Sequence, residues 1–363
     1  MFVVNKLDNE NADFNKIVQQ CHDYVSHEVE VIQFPLNQGL GFDTVIDVIK
    51  MKALKYERGG NGKYKEMEIP AEVKEKAEHY RRQLLDAVAE LDEQLMERYL
   101  ESNVLSDEEL KQGLHKGIHE RNLFPILCCS ATLNVGVSDI LDFVVDDCPS
   151  PPEIGGTHAR PVNSNGDVVI APDVKGEPSL FVFKTISESH VGELSFFRVY
   201  SGTITPGMDL VNEANGKPER LAQLYIMNGK ERKEVSKLMA GDIGAVVKLK
   251  DTHTNNTLST KNLAVVYTPT TFPEAVYHLA IVPKAKGYED KIATGLHSLH
   301  EEDPTFVFRV DPELHQTVIS GQGELHLQVV VKRLKQKFNV DVDLVVPRIP
   351  YRETIKCTCP YWP

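Results

Sequence analysis

A chain of 363 residues, 41% hydrophobic and 26% charged, has the composition of a globular protein of two or three domains, and no run of about 18 apolar residues could span a membrane. The N-terminus lacks the features of a signal peptide, and six cysteines in so long a chain do not form a secreted disulfide framework, so we expect a reduced, cytoplasmic protein. The net charge of −13 is concentrated between residues 66 and 110, where 14 acidic residues outnumber five basic ones, so the remainder can carry basic surfaces and an RNA partner is not excluded.

The first part of the chain has the pattern of an α/β domain. Residues 1–4 form a short apolar run that predicts a buried strand, and residues 9–26 favour a helix. Residues 29–34 have the composition of another strand, and residues 35–42 follow as a loop.

The next stretch contains the clearest helical pattern in the sequence. Residues 72–101 carry apolar side chains at three- and four-residue steps, which predicts one amphipathic helix with its acids on the solvated face. Ser106, followed by three acidic residues, predicts the start of a second helix. Residues 123–128 predict another buried strand, and residues 137–145 predict a helix that runs into a proline-rich linker.

The pattern changes twice in the second half of the chain. Residues 177–271 contain short strands separated by glycines and turns, which is typical of a closed antiparallel β-barrel. After Pro273 the order becomes strand, helix, strand, strand, helix, strand, which is the ferredoxin-like split unit. We therefore expect residues 274–355 to fold as a four-stranded antiparallel sheet with two helices on one face, and the whole chain to be multidomain, with α/β, all-β and α+β parts.

The sharpest motif is Asn5-Lys6-Leu7-Asp8, which directly follows the first predicted strand. The Asp8 carboxylate would accept hydrogen bonds from guanine N1–H and the exocyclic amine, donors that adenine does not present there. The Lys6 stem would lie over the base, and Asn5 would reach N7 and tie the loop together. Such short motifs also arise by chance, so the preceding strand is what favours the functional interpretation.

A second short motif, Ser130-Ala131, follows the predicted strand 123–128 and precedes a helix. Backbone N–H groups in such a turn can donate to guanine O6, and the small side chains leave room for the base. Open α/β sheets bind ligands beyond the carboxyl ends of their strands. The sequence therefore predicts a guanine site formed by both motifs, and it predicts no catalytic or metal-ligating residue.

The phosphate-binding motif G-x-x-x-x-G-K-[ST] does not occur in this sequence. The nearest segment, residues 59–64 (GGNGKY), lacks the hydroxyl residue and is expected to be a flexible, charged loop. The residues that would hold Mg²⁺ and the γ-phosphate in a phosphoryl-transfer site are likewise missing. We therefore expect this chain neither to bind GTP or GDP tightly nor to hydrolyse GTP.

Long stretches of the sequence resemble elongation factor G, the GTPase that drives movement of tRNA and mRNA on the ribosome. MFVVNKLDNENADF resembles its base-recognition segment, and residues 64–150 resemble its subdomain insertion and the end of its GTPase domain. VGELSFFRVYSGTITPGMDLVN and LMAGDIGAVVKLKDTHTNNTL resemble its barrel domain, and residues 297–344 with PYRETI resemble its third domain.

The resemblance implies a partial P-loop GTPase-type domain with a helical insertion, a translation-factor β-barrel and a ferredoxin-like third domain. The expected boundaries are 1–150 with the insertion at about 35–122, then 151–273, 274–355 and an atypical tail at 356–363. The intact parent would use GTP or GDP with Mg²⁺ and would bind the ribosome through rRNA and the stalk proteins. The phosphate-loop half of the GTPase domain and domains four and five have no counterpart here, so we expect this chain to be a fragment without hydrolytic or translocating activity.

Three other interpretations stay open. Tetracycline ribosomal protection proteins and the bacterial release-factor GTPase share these domains, and a non-enzymatic ribosome- or rRNA-binding module would use the barrel and the third domain without nucleotide. The resemblance through the insertion favours the translocase, and nucleotide binding would separate an enzyme remnant from a module.

Overall fold

The computed structural model describes residues 1–102, 104–164, 166–188, 192–285 and 287–353, and the tail predicted at 356–363 lies outside them. The chain divides into two compact units, residues 1–154 and residues 155–363, called units 1 and 2 below. Each has its own hydrophobic core.

Unit 1 combines two small β-sheets with helices. Its elements in chain order are β1 (Phe2–Val4), α1 (Phe14–Tyr24), β2 (Val29–Val31), β3 (Gln33–Pro35), β4 (Thr44–Asp47), β5 (Lys52–Tyr56), β6 (Tyr64–Met67), α2 (Ala71–Glu90), α3 (Glu93–Ser102), α4 (Asp107–Glu120), β7 (Phe124–Cys128), α5 (Val137–Asp147) and α6 (Pro151–Ile154).

The first sheet of unit 1 is parallel and has the strand order β1-β7-β2. Val4 at the end of β1 pairs with Cys128 at the end of β7, so both strands finish at the same edge. The expectation that residues 1–4 are buried was wrong in part: Val4 is buried, but Val3 is 41% exposed. The reason is that β1 lies at the edge of the sheet and turns only alternate side chains toward the core.

The second sheet is antiparallel, has the order β3-β4-β5-β6, and was not predicted. Residues 29–34, expected to be one strand, form two strands in different sheets, because the chain changes sheet at Ile32. The Ile32 N–H donates to Ile126 O at 3.1 Å, whereas its carbonyl accepts from Val48 N at 3.0 Å. The two sheets consequently share one hydrophobic core.

The predicted single helix at 72–101 is wrong, because the chain forms α2 and α3 with a break at residues 91–92. Asp92 Oδ1 accepts hydrogen bonds from Gln94 N at 3.0 Å and Leu95 N at 3.4 Å. A carboxylate that satisfies free N–H groups in this way starts a new helix. The helix start predicted at Ser106 is confirmed by a full capping box with Glu109 at the N-terminus of α4.

Helix α2 packs over β2 and places acidic residues beside Glu30. Burial, with smaller contributions from the Asp86 and Glu90 carboxylates, raises the pKa of Glu30 to about 7. A folded-state pKa above the unfolded value means that the ionised carboxylate destabilises the fold. Unit 1 should therefore lose stability as the pH rises from the unfolded pKa of 4.5 through about 7.

We expect Glu30→Gln to raise the free energy of unfolding by about 1–2 kcal/mol near pH 8 and to change it little near pH 4, after discounting the shift for partial exposure. Urea denaturation across this pH range is the measurement. Glu78→Gln, which removes an exposed acid from the middle of α2, is the matched control. An identical pH profile for Glu30→Gln and the unmodified chain would contradict this assignment.

Unit 2 contains mostly antiparallel strands. Its elements are β8 (Thr157–Pro161), β9 (Val168–Ile170), β10 (Ser179–Glu188), β11 (Gly192–Ser201), β12 (Thr203–Ile204), β13 (Asp209–Asn212), β14 (Lys217–Arg220), β15 (Leu224–Asn228), β16 (Glu231–Val235), β17 (Leu238–Met239), β18 (Ile243–Val247), β19 (Thr257–Ser259), β20 (Val265–Tyr267), β21 (Tyr277–Pro283), α7 (Glu289–Glu302), β22 (Val307–Asp311), β23 (Gln316–Gly321), α8 (Glu324–Phe338) and β24 (Val342–Val345).

The region predicted to be a barrel has an eight-stranded antiparallel sheet in the order β14-β13-β19-β10-β11-β18-β15-β16. Its end strands β14 and β16 do not pair with each other in the described part of the chain, so closure through a continuous ladder is not seen. The stretch 219–227 is divided between β14 and β15, because its two ends pair with different neighbours.

The prediction for the last part of unit 2 is confirmed. The four-stranded sheet has the order β22-β23-β21-β24 with every pair antiparallel. Helices α7 and α8 pack on each other and on one face, where Ile281, Ile319 and Leu334 meet in one core. The order of elements is the ferredoxin-like β-α-β-β-α-β.

The C-terminal end of α7 joins this sandwich to the large sheet. The Glu302 carboxylate, 7% exposed, accepts from Ser187 N at 2.9 Å and pairs with Lys337, whose Nζ also donates to Ser187 O at 3.0 Å. The neighbouring Glu301 carboxylate contacts His253 Nδ1 at 2.7 Å. The two parts of unit 2 are thus held by a partly buried ionic cluster.

No helix in the ranges that the structure describes is both long and apolar enough to cross a bilayer.

Candidate functional site

The two short motifs lie side by side because the strands that precede them are parallel neighbours. Past the ends of β1 and β7, the Cys129 N–H donates to Val4 O at 2.9 Å and the Leu7 N–H donates to Cys129 O at 3.3 Å. The segment 5–8 therefore runs along the segment 129–131, although the two are more than 120 residues apart in sequence.

Asn5 is the direct link between the motifs. Its Oδ1 accepts from Lys6 N at 2.7 Å, from Ala131 N at 3.0 Å and from the Cys129 thiol at 3.5 Å. Burial raises the pKa of Cys129, and the nearby Asp8 charge adds to this, so the thiol stays neutral and can donate. The Ala131 N–H, expected to face guanine O6, is engaged by Asn5 in this structure.

Lys6 and Asp8 stand on either side of a buried anchor. Leu7 is 1% exposed, and its carbonyl accepts from Gly39 N at 2.7 Å, which fixes the loop in the core. Lys6 has a left-handed backbone (φ 63°) and is exposed, and Asp8 is half-buried. Neither side chain makes a hydrogen bond or ion pair to another described residue, so the Asp8 carboxylate has free acceptors for a base edge.

The loop of residues 130–136 is a closed turn. Ser130 and Val135 exchange backbone hydrogen bonds at 2.9 and 3.1 Å, and Ser130 Oγ accepts from Leu133 N at 3.3 Å. Gly136 adopts φ 78°, and a Cβ there would lie 2.6 Å from Cys128 O. Buried Ser130 therefore stabilises the turn, whereas Ala131 is exposed to solvent.

The segment 59–64, expected to be a flexible loop, is a tied hairpin turn between β5 and β6. Gly59 N donates to Leu133 O at 2.6 Å, Asn134 Nδ2 donates to Gly60 O at 3.0 Å, and Ser138 Oγ donates to Gly62 O at 2.6 Å. The expectation of a flexible loop was wrong because it rested on the local glycines and charges. The contacts with the 130–136 loop are distant in sequence.

Sequence analysis did not identify the residues that support this site. Leu7 has no role in the predicted base contacts, although an apolar residue between polar ones indicates a buried anchor. Asn134 and Gly136 form part of the turn signal Asn-Val-Gly, which predicts left-handed backbone. The contacts of Cys129 with Asn5 have no signal in the sequence.

Comparisons with known proteins extend these observations. Residues 177–261 match the family model described as elongation factor G domain 2, and residues 272–345 match the one described as elongation factor G, domain III. A crystal structure of a protein from Thermus thermophilus is similar over 98% of this chain, with 30% identity and a TM-score of 0.81. The match covers 50% of that protein, so this chain spans about half its length.

Proposed function

Because this chain belongs to the elongation factor G family, we propose that it is the core of a translational GTPase that binds the ribosome and, in the intact parent, couples GTP hydrolysis to translocation of tRNA and mRNA. The observation that carries the proposal is the consecutive match of two regions to domains 2 and III, in that order. The ribosome is the proposed partner, through rRNA and, for the acidic helices of unit 1, the stalk proteins.

The geometry supports guanine recognition by Asn5, Lys6, Asp8, Ser130 and Ala131. The two motifs are joined by the Asn5–Ala131 hydrogen bond, and the Asp8 carboxylate is free to accept from the base. Within this arrangement Asp8 would select guanine, the Lys6 stem would cover the ring, and Ser130 would hold the turn that carries Ala131. The release of Ala131 N–H from Asn5 would be needed before it could donate to O6.

The intact parent would bind GTP or GDP with Mg²⁺, which supplies charge neutralisation at the phosphates. The phosphate-binding motif G-x-x-x-x-G-K-[ST] does not occur in the 363 residues of this sequence. Base recognition alone contributes about 3–5 kcal/mol from charge-assisted hydrogen bonds, and loss of ligand freedom offsets about 4 kcal/mol or more of this. We therefore propose that this chain does not bind guanine nucleotides tightly and does not hydrolyse GTP.

We expect fluorescent GDP to show no saturable binding at micromolar concentrations. The net free energy of binding left after the loss of ligand freedom is near zero, which corresponds to a dissociation constant in the millimolar range or weaker. In ¹⁵N–¹H spectra, millimolar GDP should shift the amides of residues 5–8 and 131, and ADP should not. Asp8→Ala should remove the difference between GDP and ADP. Glu10→Ala, which removes an exposed acid two residues away, is the control.

Two results would count against the proposal. A micromolar dissociation constant abolished by Asp8→Ala would show that the chain retains tight nucleotide binding. Equal shifts with GDP and ADP would contradict guanine recognition and favour the non-enzymatic module. Ribosome binding by such a module can be measured separately by sedimentation with ribosomes.

A further inference from the structure

The hairpin turn of residues 59–62, which joins β5 to β6, contacts the 130–136 loop that carries Ala131. Two hydrogen bonds connect them, Gly59 N to Leu133 O at 2.6 Å and Asn134 Nδ2 to Gly60 O at 3.0 Å. A third, from Ser138 Oγ to Gly62 O at 2.6 Å, comes from the first turn of α5. All three fall on the tip of the loop or on the helical turn just after it. The contacts therefore hold the part of the loop that follows Ala131 in sequence.

The turn can approach so closely because of its backbone. Gly62 is buried with φ 81°, and a Cβ at this position would lie 3.3 Å from Asn134 Nδ2. A side chain here would meet both backbone strain and the amide that makes the contact. Asn134 is itself left-handed (φ 53°), a conformation that asparagine tolerates better than most residues, and this aims its amide at Gly60 O.

A second contact from the same sheet holds the helix that follows the loop. Lys50, after β4, places Nζ 2.9 Å from Asp139 Oδ1 in the first turn of α5, and Gln33 of β3 donates to the other oxygen of that carboxylate. Burial alone would lower the pKa of Lys50, but the bond to Asp139 raises it, so the Lys50 ammonium stays charged. The sheet β3-β6 thus fixes both the tip of the loop and the start of α5.

We propose that the 59–62 turn is a positioning element of the guanine site: it holds the 130–136 loop so that Ala131 lies at the correct distance from Asp8. The inference rests on the proposed guanine recognition. It adds that the 130–136 loop and the 59–62 turn connect the bound base to the β3-β6 sheet. Engagement of the base must move or tighten Ala131, and the hydrogen bonds of Leu133 and Asn134 transmit that change to Gly59 and Gly60. The insertion consequently responds to guanine without touching it.

The test uses the full chain with a double variant, Asn134→Asp and Ser138→Ala. Aspartate has the same size and tolerates left-handed backbone, but it cannot donate to Gly60 O, and alanine removes the second donor. We expect hydrogen exchange of the amides of residues 131–135 to rise about 5- to 10-fold, with the melting temperature nearly unchanged. Lys63→Ala, which truncates an exposed side chain directly after this turn, is the control and should leave exchange unchanged.

The second readout is specific to a positioning role. In the unmodified chain, millimolar GDP should shift the amide signals of Gly59 and Gly60, and ADP should not. The double variant should bind GDP at least about 3-fold more weakly and should lose these shifts. Unchanged exchange in the double variant would overturn the structural connection. Faster exchange with GDP binding as in the unmodified chain would overturn the positioning role. A chain in which GDP shifts neither Asp8 nor Ala131 would instead overturn guanine recognition, a failure that the exchange data distinguish from the other two.

Discussion

Replacing Gly113 with valine should destabilise unit 1 by about 3 kcal/mol or more, because α4 crosses α2 with no space for a side chain. A Cβ at Gly113 would lie 2.3 Å from Val88 Cγ1 and 3.2 Å from Leu95 Cδ1. Val88 is buried and branched at Cβ, so it cannot turn aside. A Cβ at Gly117, one turn later, would lie similarly close to Leu91 and Leu123.

Hydrogen exchange of α2 and α4 peptides, compared with peptides of unit 2, measures this loss within the whole chain. The matched control is Gln112→Val, which places the same side chain at the adjacent, exposed position and should cost only a few tenths of a kcal/mol. Helix propensity alone would make the Gly113→Val variant more stable than the unmodified chain. That result would show that the helices have room to separate.

Replacing Glu302 with alanine should detach the large sheet of unit 2 from the sandwich that follows it. Lys337 would lose its carboxylate while staying two-thirds buried, and the Ser187 N–H would lose its acceptor. Removing one partner of a buried ion pair costs about 3–5 kcal/mol, and the exposure of Lys337 reduces this to about 2–3 kcal/mol.

The expected signs are faster proteolysis between residues 262 and 276 and two thermal transitions where the unmodified chain has one for this unit. Glu302→Gln, which still accepts from Ser187 N but carries no charge, should give an intermediate loss. Glu289→Ala, an exposed acid in the first turn of the same helix, should leave the connection intact. If all three variants melt together with the unmodified chain, the cluster does not hold the two parts.

Regular patterns in the sequence predicted the elements that depend on local chemistry. The β-α-β-β-α-β order after Pro273 was evident because each strand or helix has its own periodicity, and Ser106 marked a helix start because its capping box is local. The two motifs that follow apolar runs were expected to form one site, and the parallel pairing of β1 with β7 brings them together.

The errors arose where contacts distant in sequence decide the structure. The strands β5 and β6 are short and rich in charge, and they are strands because they pair with each other and with β4. The break between α2 and α3 needs Asp92 to act as a cap rather than as one more surface acid. In the candidate site, the position of each motif after a predicted strand placed Asn5 and Ala131 in one site, but only the fold shows the hydrogen bond between them.

The change of sheet at Ile32 has a consequence for protein engineering. A residue whose N–H serves one sheet and whose carbonyl serves the other cannot be a cutting point, since removal of either side leaves one of its backbone groups without a partner. Phe34, two residues on, is fully buried and lies 5.4 Å from the ring of Tyr80 on α2. Excising the insertion at residues 35–122 would therefore remove Tyr80 and Val48 and leave the Phe34 ring and the Ile32 carbonyl without their partners, so a designer would have to rebuild that surface.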